Sequence, residues 1–270
     1  MSYLSFVFTG SNACYGGDFI QRMQNCLDNL YGLLEQHGFD ADVTVVEWNP
    51  PKDRPRIADA LDWNSKWIQT KIITVPGEVH NSLPNPHGEK FFEYVAKNVG
   101  IRRASGEFIL STNPDNIYSP ELIQRLSKLD KDCFYRVNRY DVRDGKVTAA
   151  NFNTGTRYPD GSSTESELTN PDPDGLHFNA SGDFILMHRD AWAAIKGHPE
   201  VPYSLTVDGQ TVYLAAQEGL KQVILPEPMF HQDHSRTDKW CPPWDDNSPW
   251  GEKNAIDWGL SELSFETRYL

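Results

Sequence analysis

Apolar residues alternate weakly over residues 4–8, which predicts a first strand. The polar, glycine-containing stretch 9–17 follows as a loop. Asp18 then precedes a run in which Phe19, Ile20, Met23, Leu27, Leu30, Tyr31 and Leu34 recur at three and four. That is the period of a helix with one buried face, with Asp18 as its cap and Gly38 as its stop. Residues 43–48 are β-branched and apolar, a second strand closed by Asn49-Pro50-Pro51. A short helix is predicted over 57–61 and a third strand over 71–75. A longer helix over 88–105 carries Phe92, Val95 and Val99 on one face, with Gly106 at its end. An apolar strand then runs toward Asp115, and Ser119-Pro120-Glu121 opens another helix. Ser119 fits the N-cap, Pro120 the first helical position and Glu121 the positive end of the helix dipole.

Strand and helix alternating at this spacing imply βαβ units and a mainly parallel sheet with right-handed crossovers. The second half reads differently. Short strands are predicted over 134–137, 183–187 and 223–225, the last closed by Pro226-Glu227-Pro228. Asp190 caps a helix through 196, and a further helix over 209–218 is stopped by Gly219. The stretch 154–175 is rich in Gly, Ser, Thr, Asp and Pro and reads as a mobile loop. From residue 236 on, Trp240, Trp244, Trp250 and Trp258 stand among prolines, a pattern expected of an irregular tail packed on the domain.

The 270 residues suit one large domain, and no run of about 18 apolar residues is present to span a bilayer. Residues 1–10 read as a strand rather than a signal peptide. Four cysteines, Cys14, Cys26, Cys133 and Cys241, form no CxxC pair. That speaks against a zinc site or a disulfide framework and for a reducing, cytoplasmic setting. A net charge of −13 argues against nucleic acid as a partner. It leaves room for a small phosphorylated substrate, since a cation and a few arginines invert the field locally.

Several constellations carry candidate chemistry. Asp115, with Asn113 nearby, sits at the C-terminal end of a strand, where α/β sheets bind ligands; its carboxylate suits a divalent cation set against a diphosphate. Asn98 and Arg102 share a helix face four residues apart, and Arg103 falls on the inward row of Val95 and Val99. The guanidinium fork suits phosphate, although arginines at a helix end also complement its dipole. Glu47 ends the second strand, where an acidic residue can hold a ribose or base. His231-Gln232-Asp233-His234 brings potential metal ligands. Asp183 follows Ser181-Gly182, and Asp208 opens a helix whose dipole favours its ionised form, as a general base requires. Each pattern alone is also what an ordinary turn, cap or solvent-facing end looks like. No GxSxG, HExxH, P-loop or GxGxxG is present.

Taken together, these segments resemble the GT-A glycosyltransferases, and more closely a group of GT-2-like glycosyltransferase domains. The resemblance rests on Ser11-Asn12 with Tyr15-Gly16-Gly17, on residues 46–51, and above all on residues 96–108 running into Asn113-Pro114-Asp115. Gly182-Asp183-Phe184, residues 197–200, Asp208, residues 231–234 and Trp258-Gly259-Leu260 complete it. It implies a Rossmann-like GT-A domain over 1–270, with a nucleotide-binding half (1–115), an acceptor half (116–235) and a packed tail (236–270). It implies that Thr9, Gly10, Ser11, Asn12, Glu47, Asn49, Asn98, Asn113 and Asp183 border a UDP- or GDP-linked sugar, with Arg102 or Arg103 on its diphosphate. Asp115 and His231 would hold Mn²⁺ or Mg²⁺, and Asp208 would be the base of an inverting transfer to a glycan or similar hydroxyl acceptor. The family's Asp-x-Asp is here Asn113-Pro114-Asp115, one carboxylate fewer. The alternatives are a sugar nucleotidyltransferase, which would want an arginine-containing Gly-rich start that 9–18 lacks, and a non-catalytic carbohydrate- or nucleotide-binding module.

Overall fold

A computed structural model describes residues 2–65, 67–152, 155–164, 175–235 and 251–270. The chain runs β1 (Leu4–Gly10), α1 (Phe19–His37), β2 (Ala41–Trp48), α2 (Ile57–Ala60), β3 (Gln69–Val75), α3 (Gly77–Ser82), α4 (Glu93–Arg103) and β4 (Phe108–Thr112). It continues through β5 (Asn116–Tyr118), α5 (Pro120–Arg125), β6 (Cys133–Arg143), β7 (Lys146–Phe152), β8 (Gly155–Arg157) and β9 (Ser163–Thr164). Then come β10 (Phe184–His188), α6 (Arg189–Ile195), α7 (Val207–Gln217), β11 (Lys221–Gln232) and β12 (Glu266–Tyr269).

One twisted sheet organises them, in the order β12-β3-β2-β1-β4-β10-β6-β7-β8-β9, with β11 paired to β5 and β6. Strands β3, β2, β1 and β4 run parallel. β10 enters antiparallel to β4 and to β6, so the sheet is mixed beyond β4. The alternation of side chains divides the core. Leu4, Phe6, Phe8, Val43 and Val45 point toward α1 and α5, while Val7, Val46 and Trp48 face the layer that contains α4, α6 and α7. Each of these side chains is fully buried, which stabilises by roughly 1.5–3 kcal/mol apiece. Gly100 lets α4 lie close on the sheet: a Cβ there would come within 2.5 Å of Val7 Cγ1.

Local signals account for most boundaries. α1 ends at Gly38, left-handed at φ 57, with the Phe39 amide closing onto Leu34 O at 2.9 Å. α5 starts as expected, with Ser119 Oγ accepting from the Leu122 amide. Other expectations need correction. Asp18 precedes α1, but its side chain caps nothing. The helix predicted over 88–105 begins only at Glu93, because Asn85 folds onto Glu89, accepting its amide at 2.7 Å and donating to its carbonyl at 2.8 Å. α6 is capped by His188 rather than Asp190. β6 is far longer than 134–137 because β7 and β11 flank it along its length. β11 does not stop at Pro226: with no amide hydrogens at Pro226 and Pro228 the ladder skips there, and pairing resumes at Met229 after a register shift.

Residues 155–157 and 163–164 of the predicted loop pair as β8 and β9, while 165–174 lie outside the described residues. In the tail, Trp240, Trp244 and Trp250 also lie outside them; Trp258 is buried, and β12 adds antiparallel to β3. No described helix is long and apolar enough to cross a membrane.

Candidate active site

The C-terminal ends of the parallel strands open onto a cleft of about 1650 Å³. Thr9, Gly10 and Ser11, where β1 ends, form one wall with Asn49, which follows β2. Asn113, Asp115, Asp183 and His231 line its floor side. These are eight of the residues that the sequence pointed to, and the crossovers of a parallel sheet are what gather them at one edge.

Asp115 lies after β4, at the centre of a buried charged group. Its Oδ2 is 3.2 Å from His234 Nε2, 3.6 Å from His231 Nε2 and 3.7 Å from Arg22 Nε. One ligand atom from each of Asp115, His231 and His234 falls within 4.8 Å of the others, the spacing and donor types of a divalent-cation site. Burial alone would raise the Asp115 carboxyl. Hydrogen bonds and charge from His231 and His234 outweigh it and hold the group far below the usual carboxylate range. Burial likewise pulls the His231 imidazole down, but its bonds to Asp115 and Asp141 raise it to about 9.

Two neighbours on the loop after β1 let His234 approach. Gly16, at φ 63, leaves the space in which a Cβ would meet His234 Nδ1 at 2.3 Å, and the Tyr15 ring packs edge-on against the imidazole. Arg22, on α1, donates to Tyr15 O at 2.7 Å and Gly16 O at 3.2 Å, fixing the loop after β1 beside the cluster.

A second network continues from the cluster. His231 Nδ1 meets Asp141 Oδ1 at 2.8 Å, and Arg139 bridges Asp141 to Asp183. Asp183 accepts from Asn113 Nδ2 at 2.9 Å, and the fully buried Lys97 donates to Asn113 Oδ1 and to Gly182 O, both at 2.7 Å. Burial would raise Asp141, but its hydrogen bond with His231, followed by the Arg139 charge, draws it down to about 2; burial would lower Arg139, but Asp183 and then Asp141 raise it. Sequence reading missed Arg22, Lys97, Arg139 and Asp141. Charged residues within α1, α4 and β6 look like solvent faces until the neighbouring strands cover them.

Asp208 opens α7 and is half-buried. Its Oδ2 accepts from Ser181 Oγ and from the Gly182 amide, both at 2.7 Å. It does not line the cleft itself but stands behind Gly182, whose neighbour Asp183 does. The fully buried Arg136 holds this turn through the carbonyls of His177, Asn179, Ser181 and Phe184.

Five of the expected residues do not line the cleft. Glu47 is fully buried, and its two oxygens take Arg56 Nε and the Ile57 amide; Arg56, not Glu47, lines the cleft. Asn12 is turned away, donating to Pro55 O at 2.9 Å. Asn98 is spent on packing: its amide bridges the His198 backbone and Glu200. Arg102 donates to Ile256 O and Trp258 O, with its guanidinium over the Trp258 ring. Arg103 donates to the carbonyls of Val99, Gly259, Leu260 and Leu263. Both arginines therefore clamp the C-terminal segment and do not reach the cleft.

Arg103→Ala should thus cost about 2 kcal/mol, a charge-assisted bond set discounted for its partial exposure. A lowered urea midpoint with unchanged nucleoside diphosphate affinity is the expected pair of results. A weakened affinity at unchanged stability would restore the phosphate role.

No family model matches the sequence, and no curated protein matches it either. Solved structures do. The mannosyltransferase PcManGT from Pyrobaculum calidifontis, in complex with GDP-Man and Mn²⁺, superposes with a TM-score of 0.50 at 14% identity over 85% of this chain. TarS 1–349 from S. aureus gives 0.50 at 12% identity over 85%. The catalytic domain of Drosophila beta1,4-galactosyltransferase 7, in complex with xylobiose, gives 0.44 at 11% over 83%. The matched regions span 56%, 60% and 65% of those three chains respectively. The fold is a GT-A-like glycosyltransferase fold: mixed α/β, with a Rossmann-like parallel nucleus flanked by helices.

Proposed function

We propose that this chain transfers a sugar from a nucleotide-sugar donor, UDP- or GDP-linked, to a hydroxyl of a glycan or similar acceptor, with a divalent cation and with inversion. The observation that carries the reading is the buried Asp115, His231 and His234 group at the open ends of the parallel strands. The GDP-Man and Mn²⁺ of the PcManGT complex, on the same fold, support it.

On this reading residues 1–115 supply the nucleotide half. Thr9, Gly10, Ser11 and Asn49 border the nucleotide, with Arg56 on the same wall. Asp115, His231 and His234 would hold the cation, which when bound neutralises charge developing on the leaving diphosphate. Residues 116–235 supply the acceptor half. Asp208 takes the acceptor hydroxyl proton as the oxygen bonds to the anomeric carbon and the carbon–oxygen bond to the diphosphate breaks. Asn113 and Asp183, locked to each other, present a fixed polar surface beside that carbon.

A thermal-shift panel of UDP, GDP, CMP and dTDP, each with and without Mn²⁺, tests this. Ligand at 100 times its Kd adds about 2.7 kcal/mol of stability. One diphosphate that shifts the melting temperature only with Mn²⁺ is the expected result, and it names the base. A shift with sugars alone, indifferent to nucleotide and cation, would point to a binding module instead.

A further inference from the structure

The cation reading leaves one buried charge without a task. Asp141 lies on β6, 5% exposed, and is not part of the cleft wall. Its partner is fixed by strand register: β6 and β11 pair in parallel with Asp141 directly opposite His231. Such a pair needs no carboxylate to hold two strands together. Burying one is costly unless it is fully partnered.

Here it is partnered from three sides. His231 Nδ1 is 2.8 Å from Oδ1. Arg139 donates from Nη2 to Oδ2 at 3.2 Å, with its Nε 3.0 Å from Oδ1 as an ion pair. Asn151 Nδ2 donates to Oδ2 at 3.0 Å. The carboxylate plane is therefore set by Arg139 and Asn151, and the imidazole is set by the carboxylate. An imidazole that gives its Nδ1 hydrogen to a carboxylate has only Nε2 left as a donor atom. That nitrogen is the one facing Asp115 Oδ2, at 3.6 Å. Metal-bound histidines are commonly oriented in this way, and loss of such a partner typically weakens metal affinity by about 10–100-fold.

Resting on the cation reading of the Asp115 group, we propose that Asp141 is a positioning residue that fixes His231 as an Nε2 ligand, completing a carboxylate–imidazole–cation relay anchored by Arg139 and Asn151. In Asp141→Asn, an amide NH₂ must replace one oxygen. On the outer side it faces two donors, Arg139 Nη2 and Asn151 Nδ2. On the inner side it donates to His231 Nδ1, which moves the ring hydrogen to Nε2 and removes the ligand lone pair.

The test uses the full chain with CoCl₂ or MgCl₂ alone. Binding is followed by calorimetry, and Co²⁺ ligation by its visible absorption. Co²⁺ favours imidazole nitrogen, whereas Mg²⁺ favours oxygen. Asp141→Asn should raise the Co²⁺ Kd by about 10–100-fold while changing that for Mg²⁺ by less than about threefold. Asn151→Ala, which leaves every charge paired, should move Co²⁺ affinity the same way by a smaller factor and serves if the first variant does not fold. Wild-type Co²⁺ binding that either folded variant retains, at unchanged Co²⁺ to Mg²⁺ ratio, overturns the role of Asp141 alone. A wild-type chain that takes up no Co²⁺ overturns the cation reading with it.

Discussion

On the proposed reading, Asp115→Ala should abolish the dependence of nucleotide binding on Mn²⁺ and lower turnover by at least about 10³-fold, the scale of removing a group that stabilises developing charge. The expectation follows from Asp115 being the only carboxylate of the cluster that faces the cleft. Without it the group keeps two imidazoles and the Arg22 guanidinium but no anionic ligand, and the guanidinium still suits a phosphate. Nucleotide affinity without metal should therefore hold or rise while the metal-dependent increment disappears. The fold survives. Arg22 keeps its bonds to Tyr15 O and Gly16 O, and His231 keeps Asp141. Calorimetry with the nucleoside diphosphate, with and without Mn²⁺, reads the result directly. A variant whose affinity is still tightened by Mn²⁺ would remove Asp115 from the cation site.

Asp115 was legible because an apolar strand delivered a lone carboxylate into a turn, and the alternation of strands and helices put that turn at the sheet's ligand-binding edge. His231 and His234 were legible as residue types, but their strand was not. Pro226 and Pro228 read as a stop, whereas a single register shift absorbs both. Arg102 and Arg103 misled for a related reason. Their chemistry suits phosphate, yet apart from Val99 O their acceptors are carbonyls of residues 256–263, and nothing local reports that so distant a segment folds back over the end of α4. Glu47 lies at its strand end as expected, but the loop after β2 turns Arg56 back onto it, so its carboxylate is taken within the fold. Arg139 and Asp141 were invisible for the opposite reason. A polar stretch within a strand marks a solvent face unless sheet order covers it, and sheet order in the second half depends on pairings such as that of β6 with β11.

Asp208→Asn should lower turnover by about 10²–10⁴-fold, the usual contribution of a general base, and leave nucleoside diphosphate affinity unchanged. The local geometry makes this substitution a clean one. Oδ2 of Asp208 accepts both local hydrogen bonds, from Ser181 Oγ and the Gly182 amide. The amide oxygen of asparagine takes that position and keeps both. The NH₂ group replaces the other oxygen, which accepts no hydrogen bond from a described residue and, on the proposed reading, takes the acceptor's proton. The turn at Gly182 therefore stays in place, and with it the buried Lys97 and the cleft residues Asn113 and Asp183. A base role predicts that kcat collapses at constant donor KM and that the limb of the pH profile reporting the base is lost. A purely architectural role predicts the reverse: asparagine is tolerated, and only Asp208→Ala, which strips Ser181 and Gly182 of their acceptor, reduces activity. Donor turnover followed as nucleoside diphosphate release separates the two, and near-wild-type kcat in Asp208→Asn would move the base to another carboxylate near the cleft, with Glu93 the first to test.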